Sequence, residues 1–292
     1  MELFRALAAL AESPRAESAR LSEALGLGAP PGADEYTQIF VFQLYPYASV
    51  YLGAEGMMGG EARDRVAGFW RALGLAPPAE ADHLSVMLAL YARLCELEAA
   101  EQDAPRRESW RAARKAFLWE HLLSWLPAYL DKLREIAPDF YRRWAELLAA
   151  ALGEEGETVG RQEELSAHLR AAPALADPRG EGFEKFLESL LAPVRCGLIL
   201  TRSDLAHAAR ALGLSARAGE RRFALRSLFE QEAGGVLGWL SGEARARAER
   251  HARLRDGFGA AGAWWERRCL DAASLLDELR ESAAEETMND ER

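Results

Sequence analysis

The sequence predicts an all-α protein, and three observations lead there. Its 292 residues include only three Ile, seven Val and four Thr, the β-branched types that pleated, half-buried strands select. Ala and Leu dominate, with abundant Glu and Arg, all good helix formers. Apolar residues recur at steps of three and four through most of the chain, the spacing of one helix face. With 49% hydrophobic and 28% charged residues, the chain is neither disordered as a whole nor short of material for a sizeable core.

The elements follow in order. Residues 3–12 read as a short helix with Leu3, Phe4, Leu7 and Leu10 on one face. Ser13-Pro14 is a helix-start pair, Ser as N-cap and Pro at the first helical position. That second helix stops at Gly26, and 28–32 (GAPPG) is a turn. Residues 35–52 are the least helical stretch, dense in aromatics and cut by Pro46. A glycine-rich loop spans 53–60. Helix 61–73 turns Val66, Phe69, Trp70 and Leu73 inward and ends at Gly74. After Ala76-Pro77-Pro78, Asp82 is expected to cap a helix running to about 102.

The clearest periodicity lies in 108–136, from Trp110 through Phe117, His121, Trp125 and Tyr129 to Ile136. Pro127 should kink or restart that helix. One more helix covers 139–152. Residues 153–181, rich in Gly, Glu and Pro, are expected to form a long loop around one weak helix. A second helical block of several helices fills 183–280, with Ser203 as one cap, and 281–292 is expected to be a disordered acidic tail.

The charge of −10 disfavours a nucleic-acid backbone as partner. No run approaches 18 apolar residues, so no membrane insertion is expected. Met1–Glu12 lacks the basic start and long apolar core of a signal peptide. Cys95, Cys196 and Cys269 stand far apart, without zinc-ligand spacing, which suits a reducing, cytoplasmic compartment. Phosphate-cradling loops, HExxH and GxSxG are all absent. Neither a catalytic residue, a metal nor a cofactor is therefore predicted.

Two places combine charge with aromatics. In Glu80-Ala81-Asp82-His83, local physics makes Asp82 a helix cap with Glu80 and His83 as solvated neighbours. The functional reading is a pair of carboxylates beside an imidazole, suited to holding a guanidinium. In Trp119-Glu120-His121-Leu122 with Trp125, Pro127 and Tyr129, the pattern alone describes a core helix. The functional reading is a groove with an apolar floor and an acidic rim, fitting a peptide that is basic at one end and apolar beyond. The arginine run in 243–255, interleaved with Glu243 and Glu249, reads as a solvated helix face.

Taken together and in this order, four segments resemble the TorD/DmsD/NarJ family of redox-enzyme maturation chaperones. They are Tyr45-Pro46-Tyr47-Ala48-Ser49-Val50-Tyr51, Phe69-Trp70 with Gly74, Glu80-Ala81-Asp82-His83-Leu84, and Glu120-His121-Leu122 with Trp125 and Pro127. Ala81 stands where the family often has proline, and the chain is longer than typical members. The resemblance covers 36–150 well. It implies a helical bundle with a hinge between two halves, a TorD-like core over 35–152, an N-terminal helical extension over 1–30 and an extra C-terminal helical block.

It further implies a cytoplasmic chaperone, not an enzyme. Such a protein binds the twin-arginine signal peptide, or the body, of a molybdenum-cofactor oxidoreductase and delays its export until cofactor insertion is complete. Glu80, Asp82 and Glu120 would pair with the arginines, beside His83 and His121, and Tyr51, Trp70, Leu122 and Trp125 would receive the apolar part. Charge reversal at Glu80 and Asp82 is expected to weaken binding without unfolding the protein. A hinge at 74–81 is compatible with either a monomer or a domain-swapped homodimer. The alternatives are a helical scaffold or accessory subunit of a redox complex, and an enzyme with a dispersed site using Glu120 and His121.

Overall fold

The structure, a computed structural model, describes residues 2–162, 164–217 and 219–290; side chains at 254–256 and 286–290 are not described. Among the described residues the protein is helical, and its one β feature is an isolated antiparallel bridge between Tyr47 and His83. The helices are α1 (Glu2–Leu10), α2 (Ser18–Ala24), α3 (Ala33–Tyr36), α4 (Ala48–Leu52), α5 (Gly60–Ala72), α6 (Leu84–Ala100), α7 (Ala104–Phe117), α8 (Leu126–Ile136) and α9 (Asp139–Val159). They continue with α10 (Ala167–Ala171), α11 (Pro178–Glu181), α12 (Phe183–Leu190), α13 (Pro193–Cys196), α14 (Arg202–Ala211), α15 (Arg221–Gln231) and α16 (Ala233–Asp290). Two π-helical turns interrupt this order, Thr37–Val41 and Leu118–Leu122.

Caps and breakers explain most boundaries. Asp103 accepts from the Arg106 amide at the start of α7, where Pro105 occupies the first turn. Pro127 lacks an N–H and sits in the first turn of α8, so it restarts the helix as expected. The preceding turn widens to a π turn over Leu118–Leu122, which swings Trp119 and His121 out of α-helical phase. Thr201, not Ser203, caps α14, in a reciprocal capping box with Asp204. Ser13 caps nothing, since α2 begins only at Ser18.

One large core joins α1 and α4 through α9, with α10 and parts of α16 closing it. Residues 2–10, expected within an N-terminal extension, are inside this core: the Trp144 indole donates to the Leu7 carbonyl at 3.2 Å, and Arg5 pairs with Glu96. A second core, containing Phe186, Leu205, Leu225, Leu240 and Leu276, is built from α12, α14, α15 and α16. Residues 153–159, expected to open a loop, complete the last two turns of α9, because Val159 and Gly156 find buried places against the first core. Residues 281–290, expected to be disordered, continue α16; half of the stretch is Ala and Glu, strong helix formers. Positions 291–292 of that expected tail lie outside the described residues.

α16 is two antiparallel arms. At Gly259 the backbone takes φ 50 and ψ −128, a reversal that only glycine makes without strain. Ser241 on the first arm then donates to the Ala273 carbonyl on the second, and Arg245 pairs with Asp277. Gly197 allows the close approach of the returning arm: a Cβ there would meet the Cys269 sulfur at 2.5 Å.

The two cores are joined by polar contacts at their seam. Arg247 of α16 bonds Asp131 at 2.8 Å and Glu135 at 2.7 Å, both on α8. Lys132, only 1% exposed, reaches Asp204 at 2.7 Å. Within the first core, the Trp265 indole of α16 donates to the Ser124 carbonyl at 2.9 Å. Burial works to raise the Asp131 pKa, but Arg247 and Arg250 beside it hold it below the ordinary carboxylate value.

Candidate functional site

The four segments quoted above converge around α4. The Tyr47–His83 bridge brings the third of them against the first: the Ala48 amide donates to the Asp82 carbonyl at 3.0 Å, and the Leu84 amide to the Pro46 carbonyl at 2.8 Å. The Asp82 carboxylate, 1% exposed, accepts from the Ser49 amide at 3.0 Å, satisfying a donor in the first turn of α4. The expected cap role is therefore corrected. Asp82 caps the neighbouring helix across space, while His83 caps α6, its Nδ1 accepting from the Ser85 amide at 3.2 Å.

His83 lies edge-on to Tyr47, with ring centroids 4.9 Å apart. Burial lowers its pKa, against the opposing charges of Glu80, Glu12 and Asp82. Burial and then the charge of Glu80 push the Tyr47 phenol up to about 12. Glu80 itself is exposed. Tyr36, Tyr47, Glu80 and His83 thus form a surface patch in which the charge of Glu80 acts on both phenols, raising Tyr36 as well, after burial.

Below this patch, Tyr51 stacks on Trp125 at 5.3 Å with planes 11° apart, and its hydroxyl donates to the Tyr45 carbonyl at 2.7 Å. Trp125 donates in turn to the His121 carbonyl at 2.9 Å. His121 is packed among Phe69, Phe117 and His168, with ring centroids 5.4, 5.3 and 6.4 Å away. Burial, and then the positive field of His168 and Arg65, lowers its pKa to about 3. His168 is lowered to about 4, mainly by burial. Neither His121 Nδ1 nor His168 Nε2 has a protein partner, and the buried Trp70 Nε1 has none either.

Glu120 is fully engaged. One carboxylate oxygen accepts from the Ala167 amide at 2.9 Å, the other from the Gln162 side chain at 3.2 Å. Beside this point a cavity of about 270 Å³ opens between the 53–60 loop and α10, lined by Leu52, Met57, Met58, Glu61, Arg65 and His168 among others. Met57 and Met58 are 67% and 61% exposed.

The nine expected site residues therefore fall into four groups. Glu80 is open to solvent, with His83 at the edge of the same patch. Glu120 and His121 are close to the second opening but covered or engaged, and Trp70 is half-buried against the main core. Tyr51, Leu122 and Trp125 are 0–2% exposed and form the core that joins the two places. Asp82 is locked beneath α4, so its charge reversal removes a buried hydrogen bond and is expected to unfold the protein, contrary to the reading from sequence. Sequence reasoning passed over Tyr36, Arg65, His168 and the Met57-Met58 pair. Two adjacent methionines between glycines in a loop were a readable signal, because flexible thioethers suit adaptable apolar contacts.

Among the described residues no cluster of His, Cys, Asp and Glu has the arrangement of a metal site, and no helix is long and apolar enough to cross a membrane.

An all-helical body with such a peptide-sized acidic and aromatic surface has recognisable relatives. The family model described as "Nitrate reductase delta subunit" matches residues 7–131. Proteins named "Chaperone protein TorD" from Vibrio vulnificus, Photobacterium profundum and Shewanella amazonensis are 32%, 31% and 30% identical over 111, 112 and 141 residues. These alignments cover 36–37% of this chain and 51–55% of each relative, so the chain spans about half the length of the curated relatives it matches. No solved structure gives a significant match. The findings bear out the resemblance to the TorD/DmsD/NarJ family over the stretch that carries all four motifs.

Proposed function

We propose that this chain is a cytoplasmic maturation chaperone, without catalytic activity of its own, for the precursor of a molybdenum-cofactor oxidoreductase. It binds the twin-arginine leader of that client, its folded body or both, assists cofactor insertion and delays export. It works as a monomer or as a domain-swapped homodimer.

The observation that carries this reading is the coincidence of the family match with the convergence around α4. Segments far apart in sequence are drawn together by Asp82–Ser49, Tyr47–His83 and Tyr51–Trp125. At the surface this leaves the exposed Glu80 close enough to Tyr36 and Tyr47 for its charge to act on both. A guanidinium is well matched to such a place, since it pairs with a carboxylate and stacks on aromatic faces. The relatives' name, TorD chaperone, supports the class of client.

The test is titration of the purified chain with a synthetic leader peptide carrying two consecutive arginines before an apolar stretch. Saturable binding that falls when both arginines become lysines is expected. Equal affinity for the two peptides, or no binding by either, would overturn the leader-binding role.

A further inference from the structure

We propose that residues 160–162 and 164–173 occupy a second part of the client groove, and that a client's apolar segment enters by displacing them. This rests on the chaperone reading above and names the surface that the reading leaves covered.

The segment leaves α9 at Gly160 and crosses the π turn Leu118–Leu122. Three residues of that turn hold it or pack under it. The Trp119 indole donates to the Gly160 carbonyl at 3.1 Å, the Glu120 carboxylate takes Gln162 and the Ala167 amide, and His121 packs under His168. Leu169, 1% exposed, sinks into the main core, with Leu165 and Ala172 against its edge. At the far end Arg268 holds the Ala172 and Pro173 carbonyls at 3.1 and 3.0 Å.

The contacts are those of an extended peptide laid in a groove: one polar anchor on an acid, a buried leucine, and a backbone gripped at its end. Only five residues, Ala167–Ala171, are helical. A helix so short contributes little stability of its own.

The contact between this segment and the surface beneath it is imperfectly matched. His121 Nδ1 below and His168 Nε2 above are buried without protein partners, a condition that disfavours the closed arrangement. The cavity of about 270 Å³ runs along the same edge, under the exposed Met57 and Met58. It provides the entry. An incoming segment with an apolar stretch and a neighbouring basic residue gains the methionine lip and Glu61 first, and Glu120 once Ala167 has left it. The occupant is thus a basic and apolar stretch of an unfolded client, and residues 160–162 and 164–173 are its internal competitor.

The test uses the full chain and two mild variants. Ala167 is the first residue of α10, and Ser166 before it has φ −56 and ψ 150. Both positions suit proline, so Ala167→Pro deletes the amide that Glu120 holds without straining the backbone. Gln162→Ala removes the other contact. Hydrogen exchange over 164–173 is expected to quicken in both variants, with the rest of the main core unchanged.

Affinity for the two-arginine leader peptide should rise, by about tenfold in Ala167→Pro, because less of the population is closed. If the wild-type chain binds the peptide and neither variant binds it more tightly, the competitor role is overturned and the chaperone reading stands. If neither wild type nor variants bind it while exchange quickens, the leader-binding reading fails, and the proposed competition fails with it. Unchanged exchange in both variants overturns the view that Glu120 holds the segment closed.

Discussion

The Asp82 carboxylate accepts the Ser49 amide at 3.0 Å across 33 residues of sequence, and both residues are buried. One acid therefore fixes the start of α4 to the start of α6, and with it the place where Tyr47 meets His83. Asp82→Ala should destabilise the fold by about 2 kcal/mol, since a buried amide loses its acceptor. Urea unfolding of the variant checks this, and an unchanged midpoint would show that the bond is dispensable.

Glu80, two residues earlier, behaves differently. It is exposed, so Glu80→Lys should leave stability within about 0.5 kcal/mol of wild type. On the chaperone reading, its affinity for a two-arginine leader should fall by roughly fivefold or more. Binding titrations of the folded variant read this directly, and the contrast with Asp82 separates a surface acid from a structural one.

Trp125 joins the two openings of the site. Trp125→Ala should cost about 3–5 kcal/mol through the cavity it leaves. Trp125→Phe retains a ring for Tyr51 to stack on but loses the bond to the His121 carbonyl, a loss of about 1 kcal/mol. Denaturation of the two variants side by side distinguishes packing from hydrogen bonding.

Stability should decline on mild acidification. His121, His168 and His251 are buried, and their folded pKa values lie at about 3, 4 and 4, below the ordinary 6.5. The unfolded chain binds these protons first. The contribution of the neutral rings is complete above about pH 6.5 and is lost progressively as pH falls towards those folded values. Asp131 and Glu135, lowered by Arg247 and their other cationic partners against burial, add a further loss below about pH 4. Urea midpoints at pH 7.5, 6 and 5 should fall in that order, and less steeply in His251→Leu.

The seam between the two cores depends on Arg247, which is 4% exposed. Arg247→Met leaves Asp131 without its main partner and should destabilise by about 3–5 kcal/mol. Adding Asp131→Leu should restore much of that loss, because the uncompensated buried charge goes with it. A double-mutant cycle by chemical denaturation gives the measurement.

The helical class was legible because composition acts everywhere at once: few β-branched residues, many Ala, Leu, Glu and Arg. The restart at Pro127 was legible because a missing N–H is a local property. Local reasoning failed where a partner came from far away. Asp82 looked like the cap of its own helix, yet its oxygen serves Ser49. Glu120 looked like a free rim acid, yet the Gln162 side chain and the Ala167 amide occupy it. Tyr51, Leu122 and Trp125 were rightly seen as apolar and aromatic, but periodicity does not tell a groove floor from a sealed interior. The hairpin of α16 was hidden too, since Gly259 is one glycine in an otherwise helical run.

The return of that hairpin imposes an order on biosynthesis. Trp265 seats its indole on the Ser124 carbonyl, 141 residues upstream. A nascent chain that has released everything through α9 still lacks this plug, and the seat stays open to the medium until the second arm emerges. Contacts of such long sequence separation form late and slowly. The chain thus passes through an unfinished stage, with apolar surface uncovered until the second arm of α16 has been made.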